Sequence, residues 1–346
     1  MRILFMTVLL LFSMVMPVSA LEITPPEVPE SGASRMPENT NSFADALTEL
    51  LQKALMEIRP DLAEAGHISM TVVGIIMLFS VLHSFTGSLQ KITAIAGSAA
   101  IASVLLQSTN SLIRLGSSTI TELSEYGKLL LPVMTAALAA QGGTTASTVL
   151  YAGTAAFDMI LTSLITSILI PLVFFFLAMA LANSAIAEDL LKRIRDFIKW
   201  IISWILKTLL TIFTTYMGIS GVVSGTTDAV ALKATKFTIA SVIPVVGGIL
   251  SDASEAVLVS AGVVKNAAGI YGILAILAVF LGPFLKIGIH YIVLKFTSAL
   301  CNLFGTRQLT DLVEDFSTAM GFLLAMTGAV CLIQLISTIC FLKGVT

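Results

Sequence analysis

The chain has 346 residues, of which 56% are hydrophobic and only 12% charged, with a mean hydropathy of +0.97 and a formal net charge of −2. A soluble domain carries about a quarter charged residues, so a chain with half that share hides most of its surface in a bilayer. The weakly acidic balance excludes a nucleic-acid partner, because neutralising phosphates requires a basic patch.

Met1–Ala20 has the three parts of a secretory signal peptide: Arg2, the apolar core Ile3–Val15, and the small-x-small site Val18-Ser19-Ala20. The core is short for a transmembrane anchor, and cleavage after Ala20 places the mature N-terminus outside the cytoplasm. Residues 21–42 hold Pro25, Pro26, Pro29 and Pro37 among Glu, Ser and Asn, and read as a disordered extracytoplasmic linker. Over 43–66, Phe43, Leu47, Leu50, Leu51, Leu55 and Ile58 recur at helical spacing opposite Asp45, Glu49, Lys53 and Glu57. That pattern predicts an amphipathic helix lying on the membrane, on a partner or on the protein's own extracytoplasmic face.

Residues 67–346 form the polytopic domain. Runs long enough to span, about 20 residues, fall near 68–88, 92–113, 158–183, 199–223, 267–285, 287–304 and 318–342. The fold class is therefore all-α, with about seven transmembrane helices. The run Glu188–Trp200 carries Lys192, Arg193, Arg195 and Lys199, which places it in the cytoplasm by the positive-inside rule. Trp200 and Trp204 follow as interfacial rings. Seven spans from an outside N-terminus put that loop, and Lys343, on the inside.

Two stretches do not read as simple spans. Asp228–Ile243 is 16 residues, roughly 24 Å of helix against a roughly 30 Å hydrocarbon core. Pro244 cannot continue it, Gly247-Gly248 permits a reversal, and Ser251-Asp252 caps a second short helix, Ala253–Asn266. This predicts a re-entrant hairpin, a form tolerated at membrane depth only inside protein or beside water. In the other stretch, Ser117–Phe157, Pro132 ends one short helix and Gly142-Gly143 precedes another. Pro132 and Pro171 are 39 residues apart, as are Pro244 and Pro283, and Val133/Val245 and Leu138/Leu250 match at the same offset. The shared order predicts a parallel internal repeat, with units about 92–183 and 199–285 and both hairpins entering from the outside.

In the second hairpin Lys233 and Lys236 share one helical face, and Asp252 and Glu255 share another. A buried charge costs about 2.5–3.5 kcal/mol or more unless paired or wetted, so these four residues are expected to pair or to line a pathway. An external loop with solvated charges is the alternative. Asp228, Lys233, Lys236, Pro244, Gly247, Gly248, Asp252, Glu255, Lys265 and Asn266 are thus candidate pathway-lining or gating residues, with Pro132, Gly142 and Gly143 as the related hairpin. Asp158, like Lys265-Asn266, is a lesser candidate, close to a membrane boundary. Cys301, Cys331 and Cys340 lack metal spacing and read as packing residues, and His67, His83 and His290 are scattered. There is no phosphate loop, HExxH or GxSxG motif, so the expectation is no enzyme, no metal and no cofactor.

Ser224–Leu274, SGTTDAVALKATKFTIASVIPVVGGILSDASEAVLVSAGVVKNAAGIYGIL, closely resembles the signature region of the stage III sporulation protein AE family. The specific pieces are Asp228, Lys233, Lys236-Phe237, Ile243–Gly247, Ser251-Asp252-Ala253 and Lys265-Asn266, in order. The signal peptide, acidic linker and polytopic remainder extend the likeness over nearly the whole chain. The resemblance implies a multi-pass protein of the mother-cell membrane around the forespore, a subunit of a channel or secretion-like complex needed for forespore development after engulfment. It also implies partners: the other membrane and ring-forming proteins of the same operon, a secretion-type ATPase, a forespore membrane protein and an insertase of the YidC/Oxa1 type. A permease-like transporter of a small solute and a non-conducting structural platform are the competing readings.

Overall fold

A computed structural model describes residues 25–38, 43–85, 90–140, 144–186, 189–219, 267–303 and 306–343. Every regular element among them is a helix. After the short α1 (Glu30–Ala33) come α2 (Phe43–Phe85), α3 (Gln90–Ala140), α4 (144–186), α5 (Asp189–Ile219), α6 (Ala267–Cys301) and α7 (Arg307–Lys343). Six of these, α2 to α7, are long and apolar enough to cross a membrane.

The helices are ordered by how much of each faces protein. α7 is the axis of the bundle and packs against α3, α4, α5 and α6. In its most apolar stretch 94% of residues are buried, against 11% in α2. α2 buries only one stripe, Ala46, Leu50, Ala54, Ala65, Val72 and Ile76, and leaves Met70, Leu78, Val81 and Phe85 exposed. Those side chains suit lipid. Between helices in a bilayer the hydrophobic effect drives little association, so close packing and polar contacts hold them together. In α7 Ser317 donates across to the Tyr291 carbonyl of α6, while Thr327, Ser337 and Thr338 satisfy their hydroxyls within the helix, on the Leu323, Ile333 and Gln334 carbonyls.

Successive helices joined by short connections alternate in direction. The basic starts of α5 and α7 therefore share one end, the basic end, with the last turn of α2 and the start of α3. At roughly 1.5 Å per residue, α2 (43 residues) and α3 (51 residues) run about 65 and 75 Å, far beyond a roughly 30 Å core. The excess lies at the opposite, distal end, where α2 carries Asp45, Glu49, Lys53, Glu57, Asp61 and Glu64 and α3 carries Glu122, Glu125 and Lys128. There α6 is enclosed on all sides: Ile273 through Phe280 are each no more than 5% exposed.

Several expectations are corrected. Residues 267–285 and 287–304 are one helix through Pro283, not two spans, which gives six candidate spans among the described residues in place of seven. Lys343 accordingly ends α7 at the end opposite the basic run. Residues 43–66 are the first half of α2, continuous through Pro60 with the first span. Residues 25–38 of the expected linker pack on α6 through α1. α3 does not end at Pro132 but continues to Ala140. A proline inside a helix costs about 3 kcal/mol by itself, and here Leu130, Leu131 and Met134 are buried around it and hold the turn. Pro171 leaves the Ser167 carbonyl without its helical donor, and α4 widens into a π-helical segment at Ile165–Leu169 just before it. The described residues show neither the re-entrant hairpins nor the internal repeat.

Candidate functional site

Asp228, Lys233, Lys236, Pro244, Gly247, Gly248, Asp252, Glu255, Lys265 and Asn266 lie outside the described residues, as do Gly142 and Gly143. The helices that flank the first group both meet the distal end. Near the end of α5, Tyr216 abuts Gly153 and tilts against Phe157 at 5.5 Å. At the start of α6, Gly269 abuts Leu342 and Gly272 meets Leu130.

What the described residues bring together is a set of buried polar joints between helices. The first lies at the distal end. Asp158 of α4 is 2% exposed and accepts from Ser124 Oγ of α3 at 2.6 Å and from Gln334 Nε2 of α7 at 2.8 Å. Each carboxylate oxygen thus has a donor, which is what makes a buried carboxylate tolerable. Gly127 makes the geometry possible, since a side chain there would occupy the space of the Gln334 amide. On neighbouring turns the hydroxyls of Tyr126 and Thr154 are buried without a partner among the described residues.

The second joint lies near the basic end. Arg195 of α5 donates through Nη1 to Asp315 Oδ2 of α7 at 2.7 Å, with both side chains about nine-tenths buried, and reaches the more exposed Asp196 at 3.2 Å. Beside it Lys295 and Glu314 form an exposed pair between α6 and α7, of the kind that contributes little.

The third gathers on the proline turn of α6. Pro283 leaves the Val279 carbonyl without a helical donor, and Arg35 donates to the adjacent Ala278 carbonyl at 3.1 Å. Its guanidinium lies where a side chain on Gly282 would stand, and its Nε binds Glu57 of α2 at 2.6 Å. Gly32 of α1 sits against the Val279 backbone, and Ser31 binds Glu122. One turn further, Lys286 Nζ meets Asp61 at 2.7 Å. Arg35, just after α1, thus brings the donor, and Glu57 and Asp61 of α2 bring the acceptors that tie down the turn within the single helix α6.

Chemically these joints neutralise charge and fix helix register. No group of three metal-ligating side chains occurs among the described residues. Sequence reasoning singled out Asp158 but missed Gln334, Arg195 with Asp315, and Lys286. The available signal was isolation: Gln334 and Lys286 are lone polar residues inside long apolar runs, which seldom occur without a partner.

Comparison with known proteins follows the same outline. The family model for Stage III sporulation protein AE matches residues 33–344. The "Stage III sporulation protein AE" of Bacillus subtilis (strain 168) is 22% identical over 232 residues, which is 67% of this chain and 58% of the relative. The matched part therefore spans less than two thirds of that relative's length. No solved structure matches the chain. With most of its length matched by the family model, the chain belongs to the Stage III sporulation protein AE family, and that membership implies a role in stage III sporulation.

Proposed function

We propose that this protein is the membrane-embedded core subunit of the channel or secretion-like complex joining mother cell and forespore. It carries no catalysis of its own and works through the ring-forming and membrane proteins of the same operon, a secretion-type ATPase, a forespore membrane protein and an insertase. The observation that supports this best is the shape of the bundle: a lipid-facing part continuous with a helical distal end that extends well past a bilayer. With the basic end in the cytoplasm, the distal end stands in the space between the two membranes, where a forespore partner would meet it. α5 ends and α6 begins at that distal end, the side from which the proposed hairpin would enter. Capture of the tagged protein from sporulating cells should bring down the operon's ring-forming subunits and the ATPase. Recovery of the protein alone would refute the assembly reading and favour a self-sufficient permease.

Conduction and scaffolding separate at two places. Single cysteines from Lys233 to Glu255, in a chain lacking Cys301, Cys331 and Cys340, should show a periodic stripe of labelling by an impermeant thiol reagent across Pro244 and Gly248. Uniform labelling would mean an ordinary loop, and full protection a packed scaffold. At Asp158, replacement by Asn keeps the shape and can still bond Ser124 and Gln334, because the amide offers one acceptor and a donor. Sporulation should therefore survive Asp158→Asn if the joint is only structural. A drop of tenfold or more in spore count with normal protein level would mean the charge itself is used.

A further inference from the structure

We infer that the basic end of the bundle holds a binding site for a phosphate-bearing anion, which the surroundings identify as the headgroup of an anionic phospholipid. An open cleft of about 580 Å³ lies between the ends of α2, α3, α4, α5 and α7. Lys91, Lys192 and Arg307 line it, with Gln90 and Asn183 as neutral donors, and Asp311 is the one carboxylate among the described lining residues. Thr306 also lines it and has a hydroxyl without a partner among the described residues. The cations come from three different helices, so no single exposed helix face accounts for their convergence. Arg307 stands 3.9 Å from Asp311 and its side chain is 84% exposed, which leaves its fork free to take a phosphodiester.

The neighbours distinguish a lipid from a free ion. Ile186 lines the cleft and is 60% exposed, and Ile92, Ile95 and Phe85, beside the lining residues of α2 and α3, are exposed too. A headgroup seated among the cations therefore has apolar surface beside it for its acyl chains. Basic pockets between helix ends at the headgroup level favour anionic lipid in this way. Three helices, α3, α5 and α7, begin at the cleft, and the positive ends of their dipoles add to its preference for an anion.

The test uses the purified full-length chain in neutral detergent micelles, with retention of phosphatidylglycerol against phosphatidylcholine followed by native mass spectrometry. Phosphatidylglycerol should be retained preferentially, Lys91→Gln, Lys192→Gln and Arg307→Gln should each weaken retention about fivefold, and the triple variant carrying all three should lose the preference. Lys295→Gln, whose partner Glu314 is outside the cleft, should leave retention unchanged. Asp311→Asn should strengthen it, a gain that misfolding cannot produce, so this variant decides the matter if the triple replacement does not fold. Inorganic phosphate at millimolar concentration separates the sources: displacement of the lipid would assign the site to free phosphate, and failure to displace it to the headgroup. Equal retention of both lipids, or a folded triple variant and an Asp311→Asn variant that both behave like the parent, would overturn the site. None of this depends on the sporulation reading, so either can fail without the other.

Discussion

Replacing Arg195 by methionine is expected to destabilise the bundle by about 3–5 kcal/mol, because it removes one partner of a buried pair and leaves the Asp315 carboxyl with no other hydrogen-bond partner among the described residues. Asp315→Leu should cost less, toward the lower end of that range, since Arg195 still has Asp196 within 3.2 Å. Removing both charges together should restore most of the loss, bringing the double variant to within about 1 kcal/mol of the parent, because desolvation of the pair offsets most of its attraction. Denaturant titration of the purified protein in micelles measures all three. If the double variant is no better than Arg195→Met, the pair is a functional contact with some other group and not a joint between α5 and α7.

The second large effect is expected at Gly127. Adding one methyl group there drives the Gln334 side chain from its place, and Gln334 is 1% exposed and held by Asp158. Overpacking costs about 1–3 kcal/mol, and leaving one oxygen of a buried carboxylate without its donor adds about 1–3 kcal/mol. Gly127→Ala should therefore lose about 2–6 kcal/mol. Combined with Gln334→Ala, which frees the space, it should lose less than the sum of the two single changes, since both remove the same bond. Strict additivity in that double-mutant cycle would show that Gly127 and Asp158 do not communicate through Gln334.

The helical, membrane-spanning character was legible because no other class combines so little charge with so many apolar residues. Where the spans begin and end was less so, for a physical reason. An apolar run signals only that water is absent, and lipid and protein interior exclude it equally. Ile273–Phe280 reads as membrane but is wrapped by α1, α2, α3 and α7 at the distal end. The prolines misled in the same sense. Pro60, Pro132 and Pro283 are local breakers inside continuous helices, and at Pro283 it is Arg35, 243 positions from the Ala278 carbonyl it binds, that shows how the turn is held. Asp158 stood out as an isolated acid, but its donors come from α3 and α7, 34 and 176 residues away. No local pattern joins such partners; only the packing of α7 among the others does.

The position of α7 on the axis has a consequence for how the protein is made. Asp315 leaves the ribosome 120 residues after Arg195, and Gln334 176 residues after Asp158. At about 5–20 residues per second, each early partner waits on the order of ten seconds, already translated and still without its mate. During that interval Arg195 has only the adjacent Asp196, and Asp158 only Ser124, to bond with. A helper that holds polar helices at the bilayer until translation catches up would meet this need. Arg195→Met/Asp315→Leu, which lacks the first of these two waiting partners, should depend on that helper less than the parent does.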